Sequence, residues 1–100
     1  MKIDTVINNG QVIVTLEGSM YVEEAAILRE KLLSFMEAGH TQIVIKFHHV
    51  EYIDSSGLGV LVAIQKRALQ IKGGVTIVGA HGVVKELFEL TRLNKVFTMQ

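Results

Sequence analysis

The sequence predicts an α/β domain with a mixed sheet of four to five strands and helices mainly on one face. Three observations predict it. Two short segments near the start alternate apolar and polar residues around Asn8-Asn9-Gly10. Three later segments repeat apolar residues at helical spacing, and short β-branched runs stand between them. The order is β-β-α-β-α-β-α, a β-hairpin followed by βαβ units whose parallel strands are joined by right-handed crossovers.

Lys2 to Ile7 and Val12 to Glu17 form the hairpin, because Asn and Gly tolerate the positive φ that a tight turn demands. Val12, Val14 and Leu16 share one face of the second strand, and Gly18-Ser19-Met20-Tyr21 reads as the turn out of it. A helix follows from Val22 to Glu37, with Ala25, Leu28, Leu32, Phe35 and Met36 inward and acids in its first turn. Gly39 supplies a left-handed stop. Gln42 to Phe47 is the next strand, with Ile43, Ile45 and Phe47 on one face, and Val50 to Ile53 leads on from it. A second helix spans Ser56 to Lys72 and ends at Gly73-Gly74, before a short strand from Val75 to Val78. The third helix, Val83 to Leu93, is expected to bury Val84, Leu87, Phe88 and Leu90. Val96-Phe97-Thr98 reads either as an edge strand or as a frayed end.

At 100 residues, the chain makes one domain, 1–100, able to bury roughly two-thirds of its unfolded surface. Ten basic residues balance ten acidic ones, which argues against nucleic acid or an anionic membrane as the main partner. Without cysteine there is no disulfide, no thiolate metal site and no cysteine nucleophile. The start lacks the apolar core of a signal peptide, and Leu58 to Ile64 is far shorter than the ~20 residues that span a bilayer. The expectation is a cytoplasmic protein with no direct membrane insertion and no cofactor.

Tyr52-Ile53-Asp54-Ser55-Ser56-Gly57-Leu58-Gly59-Val60-Leu61 carries the strongest functional signal. Asp and Ser favour helix starts because their oxygens accept the unpaired amides of the first turn. Gly57 and Gly59 fall inside that turn, where each is worse than alanine by about 1 kcal/mol. Bare backbone there serves either close packing against a strand or the approach of another molecule, and a serine at a helix start suits a phosphate.

Other chemistries fit less well. Gly57-Leu58-Gly59 begins a dinucleotide fingerprint, but Val62 replaces its third glycine and no acid follows about 20 residues on. There is no P-loop sequence and no G-x-S-x-G elbow, although Ser55, Asp54, His48, His49 and His81 contain the residue types of a hydrolytic triad. His48 and His49 make no metal site, since adjacent residues in extended chain point to opposite faces and no thiol or carboxylate set joins them; they read as exposed loop histidines.

Asp54-Ser55-Ser56-Gly57-Leu58-Gly59 after a hydrophobic strand closely resembles the signature of STAS domains, named for sulfate transporters and anti-sigma factor antagonists. The element order resembles that family over essentially the whole chain, and a free-standing domain of this length is most similar to the bacterial antagonists. The resemblance implies a non-enzymatic regulator bound by an anti-sigma factor of serine-kinase type and released when that partner phosphorylates it. Ser55 matches the phosphoacceptor position, with Ser56 as the alternative, and a serine phosphatase would reset the switch. The implied docking segment is Asp54, Ser55, Ser56, Gly57, Leu58, Gly59 and Val60, with Tyr21 and Val22 on a neighbouring loop. An alternative within the family is an adaptor or scaffold subunit of a signalling or membrane-transport complex. Two positions depart from the family pattern: Tyr21 and Lys46 stand where acids are usual, both expected near the phosphoacceptor.

Overall fold

The computed structural model describes residues 1–100. Strands β1 (Lys2–Asn8), β2 (Gln11–Met20), β3 (Gln42–Ile53), β4 (Gly74–Val78) and β5 (Thr98–Met99) form one sheet in sequential order. The β1–β2 pair is antiparallel and the other three pairs are parallel, so the sheet is mixed as expected. Asn9 and Gly10 both take positive φ at the hairpin turn. Helices α1 (Val22–Glu37), α2 (Ser55–Gln70) and α3 (Gly82–Leu90) supply the crossovers, and a short 3-10 turn, Leu93–Lys95, precedes β5.

All three helices lie on one face. Val12, Val14 and Leu16 of β2, Ile43, Ile45 and Phe47 of β3, and Val75 and Ile77 of β4 are buried beneath them. Ala25, Leu28, Leu32 and Met36 come down from α1, Leu58, Leu61, Ile64 and Ala68 from α2, and Val84 and Phe88 from α3. Phe88 meets Phe47 and Phe97 edge-on at 5.8 and 5.9 Å between ring centroids, an arrangement that matches ring edges to ring faces. The opposite face, including Ile13, Thr15, Val44, Lys46, Thr76 and Val78, carries no helix and stays partly or wholly exposed.

Both central strands run further than the alternation pattern indicates. Thr15 of β2 opposes Lys46, Glu17 opposes His49, and Ser19 opposes Tyr52, so β3 holds one extra residue at each step. Each extra residue is a bulge that resets which side chains face inward. The buried positions therefore run Phe47, Val50, Ile53 at intervals of three, where an unbroken strand would keep an interval of two. His48 and His49 are thus strand residues, not loop residues, and Gly18-Ser19-Met20 continues β2 instead of turning. Gly18 sits at the second bulge with φ 104°, a conformation open mainly to glycine.

Three further expectations are corrected at the C-terminal side. Helix α3 ends at Leu90, and Arg92 turns left-handed into the 3-10 turn. Leu90 is 80% exposed, because it lies two residues, about 200° of helix, past the inward-facing Phe88. The final strand runs Thr98–Met99, starting two residues after Val96, and Phe97 is a core residue.

Candidate functional site

Parallel strands β2 and β3 end side by side, and each leads at once into a helix. Met20 pairs with Ile53, and the Asp54 amide donates to the Met20 carbonyl at 3.1 Å. The starts of α1 and α2 are thereby fixed next to each other at the carboxyl edge of the sheet, the edge where open α/β sheets gather their ligands.

Asp54 is the N-cap of α2: its Oδ1 accepts the Gly57 amide at 3.0 Å, and its carbonyl accepts from Leu58 at 3.1 Å. The sequence expectation began the helix one residue later, with Ser55 outside it. The carboxylate takes the capping role, so Ser55 becomes the first residue of the helix. Its side chain is exposed, whereas Ser56 is half-buried. None of the side-chain hydrogen bonds of the molecule engages either serine. The amides of Ser55 and Ser56 belong to the unpaired donors of a helix start, where the helix dipole places partial positive charge.

The two glycines have different causes. A Cβ on Gly57 would stand 2.6 Å from Ile53 Cγ1 and 2.9 Å from Met20 Sδ. Gly57 is therefore a packing glycine that lets α2 settle on the ends of β2 and β3. A Cβ on Gly59 would meet nothing within 4 Å, and the residue is exposed. Of the predicted docking segment, Ser55 and Gly59 are exposed, Asp54, Ser56 and Val60 are half-buried, and Gly57 and Leu58 are buried. Gly57 and Leu58 thus hold the segment from below, with Ser55 and Gly59 as its exposed positions.

Tyr21 and Val22 do share this edge, at 52% and 64% exposure. Tyr21 is the N-cap residue of α1, and its amide donates to Glu24 Oε1 at 2.9 Å. Its ring lies 5.9 Å from that of Tyr52. A shallow depression lined by Tyr21, Val22, Glu23, Glu24 and Asp54 joins the two helix starts. Tyr52, Glu23 and Glu24 were not among the predicted site residues. Tyr52 is two residues before Asp54, and only the bulged register of β3 shows that it meets Tyr21.

Lys46 does not belong to this edge. It opposes Thr15 and Val78 in the middle of the bare face, seven residues before Ile53, roughly 20 Å of strand away. His81, the base a hydrolytic reading would need, is also engaged elsewhere. Its Nε2 lies 2.8 Å from the His48 carbonyl, an acceptor, so this nitrogen carries the proton and donates. No three His, Cys, Asp or Glu side chains gather where a metal could sit, and no helix is long and apolar enough to cross a membrane.

A sheet covered on one face, with an exposed helix-opening serine at its carboxyl edge, defines a two-layer α/β module whose distinctive surface is one edge. The chain belongs to the STAS domain family, whose model matches residues 2–100. It is 30% identical to the anti-sigma-B factor antagonist of Bacillus subtilis over 96 residues, 96% of this chain and 87% of that one. A crystal structure of a candidate anti-sigma factor antagonist from Thermotoga maritima superposes with a TM-score of 0.92 at 26% identity, covering 97% of this chain and 84% of that one. The Bacillus cell fate determinant SpoIIAA in its phosphorylated form shares the fold, with a TM-score of 0.81 at 17% identity over 99% of this chain and 91% of that one.

Proposed function

We propose that this chain is an anti-sigma factor antagonist with Ser55 as its phosphoacceptor. The observation that carries the proposal is the position of Ser55: exposed, first in α2, its hydroxyl engaged by no hydrogen bond, and flanked by the Asp54 cap. The relation to an anti-sigma-B factor antagonist supplies the class of partner. In this reading the unmodified edge docks an anti-sigma factor of serine-kinase type, which binds ATP itself. The Ser55 oxygen attacks the γ-phosphorus, ADP leaves, and the hydroxyl proton passes to the partner. A serine phosphatase reverses the step. The antagonist performs no catalysis and acts on transcription only through its partner.

The electrostatics support a switch of this kind. A phosphoserine brings a charge of about −1.5 to −2, which helix-start amides stabilise by ~0.3–1 kcal/mol. The fold therefore tolerates the modification. The same charge, set beside Asp54 in an interface with the Tyr21 and Val22 surfaces, would oppose docking through desolvation and like-charge repulsion.

Intact-mass measurement of the protein from its native cells, with fragmentation, tests this directly. A phosphoryl group on Ser55 is the expected result, and one on Ser56 would move the site by a residue. A uniformly unmodified protein across growth and stress conditions would overturn the switch. It would favour an adaptor that works by contact alone, a reading supported by Tyr21, beside Tyr52, standing where the family pattern has an acid.

A further inference from the structure

A second charged feature lies further along α2. Arg29 of α1 and Lys66 and Arg67 of α2 converge on a depression of about 300 Å³ between the two helices. Leu33 and Ala63 form apolar parts of its wall, and Gln70 also lines it. None of the three cations forms an ion pair; the recorded pairs all involve Lys2, with Asp4 and Glu17. The sequence explains why. The positions three and four residues either side of Arg29 are Ala25, Ala26, Leu32 and Leu33. Around Lys66 they are Val62, Ala63, Leu69 and Gln70, and around Arg67 they are Ala63, Ile64, Gln70 and Ile71. Helix cations ordinarily find acids at just these spacings. In a chain with equal numbers of acids and bases, three unmatched cations around one partly apolar cleft are a local excess, not a consequence of overall charge.

We infer that the cleft between α1 and α2 docks an acidic segment of a partner protein. The inference rests on the reading of this chain as a partner-binding module and names the chemistry of a second contact. Lys66 and Arg67 lie eleven and twelve residues beyond Ser55, about 17 Å along the helix. A partner of ordinary footprint, about 800 Å² on its side, covers both places at once. At the other end of the same helix pair stand Glu23, Glu24 and Asp54. The surface is therefore polar along its length, and a partner with acids over the cleft is held in one orientation, with Ser55 always at the same end. Leu33 and Ala63 call for small apolar residues between the partner's carboxylates, the pattern of an amphipathic acidic helix.

Isotope-labelled protein titrated with an amphipathic peptide carrying Glu on one face and Leu and Ala on the other tests the inference. The peptide with Gln in place of Glu, and inorganic phosphate, serve as comparisons. Amide shifts confined to the segments around Arg29, Leu33, Ala63 and Arg67 are expected, with saturation, and no saturation with the Gln peptide. Charge reversal in Lys66→Glu with Arg67→Glu should weaken binding about ten-fold or more, and added salt should weaken it further. Both side chains are exposed, so the folded spectrum of the variant separates loss of binding from loss of structure. Saturation by phosphate alone at the same residues would overturn the protein-docking assignment in favour of a small-anion site. Scattered shifts, or unchanged binding by the doubly reversed variant, would overturn it outright. The titration does not involve Ser55, so its failure leaves the phosphoacceptor assignment standing, and the reverse holds too.

Discussion

The Asp54 carboxylate accepts the Gly57 amide at 3.0 Å, with Ser55 and Ser56 between them on the turn it closes. This bond leaves both serine hydroxyls outside the helix cap. A serine serving as N-cap would have its oxygen occupied by the backbone, whereas here the aspartate does that work and the Ser55 oxygen is left facing solvent.

Removing the cap should cost stability in proportion to what replaces it. Asp54→Ala is expected to lose about 0.5–2 kcal/mol, and Asp54→Asn, which keeps an accepting oxygen, much less. Thermal unfolding checks this, since ~1 kcal/mol moves the midpoint of a domain this size by about 4–8 °C. Equal losses in the two variants would mean that charge, not capping, is the contribution of Asp54.

Gly57 and Gly59 should respond oppositely to the same substitution. Gly57→Ala drives a methyl into Ile53 and Met20, an overpacking cost of ~1–3 kcal/mol that exceeds the gain of ~1 kcal/mol in helix propensity. Gly59→Ala meets open space, so the propensity gain of up to about 1 kcal/mol should appear undiminished. Paired denaturant melts would show one variant below the native midpoint and one above it. Under the proposed function Gly59→Ala should also weaken partner docking while it stabilises the fold.

These two glycines show how far the sequence could be read. Its local grammar was sufficient for the hairpin, the three helices and the serine motif, because turn residues and periodicity act over a few neighbours. It could not separate Gly57 from Gly59, because the difference lies in Ile53 and Met20, which reach the site through sheet pairing. The length of β3 was hidden for a related reason. Two bulges shift the buried positions from Phe47 to Val50 and then Ile53, which breaks the alternation by which a strand is recognised. The same bulges carry Tyr52 to Tyr21, so that pair was invisible to any local pattern. The expectation that Lys46 lies near Ser55 came from the family pattern, whereas strand geometry carries it to the middle of the bare face.

Gly73 is expected to be the least replaceable glycine in the chain. A Cβ there would fall 1.9 Å from the Thr41 carbonyl oxygen, a backbone atom one residue before β3 that accepts the Gly74 amide at 3.0 Å. Gly73→Ala cannot be relieved by rotating a side chain, and the strain should open the β3–β4 pairing where it begins. Loss well beyond the ~1–3 kcal/mol of ordinary overpacking is expected, visible as poor expression or a collapsed unfolding midpoint. A variant as stable as the native chain would show that the turn from α2 to β4 can be rebuilt.

Gln65 offers a prediction in which pH separates hydrogen bonding from packing. It is the one buried polar side chain, 5% exposed. Its Nε2 donates to the Val96 carbonyl at 2.7 Å and its Oε1 accepts the Val75 amide at 2.8 Å. The side chain thereby ties α2 both to β4 and to the segment that leads into β5. Gln65→Leu keeps the volume but strands two backbone groups, at about 1–3 kcal/mol for each one left buried and unpaired. Gln65→Glu differs in a way that titrates. Protonated, the carboxyl can still donate to Val96 and accept from Val75; ionised, it has no donor and sets a buried charge against a carbonyl. Burial and that carbonyl would raise the carboxyl's folded-state pKa above the unfolded value near 4.3. A group raised in the folded state contributes its stability below the unfolded value and loses it as pH climbs through the folded one. Relative to the native chain, Gln65→Glu should therefore be least destabilised near pH 4 and increasingly destabilised towards neutrality, while the deficit of Gln65→Leu stays level. Denaturant melts across that range measure both, and parallel pH profiles for the two variants would show that the Gln65 site does not depend on its donor to Val96.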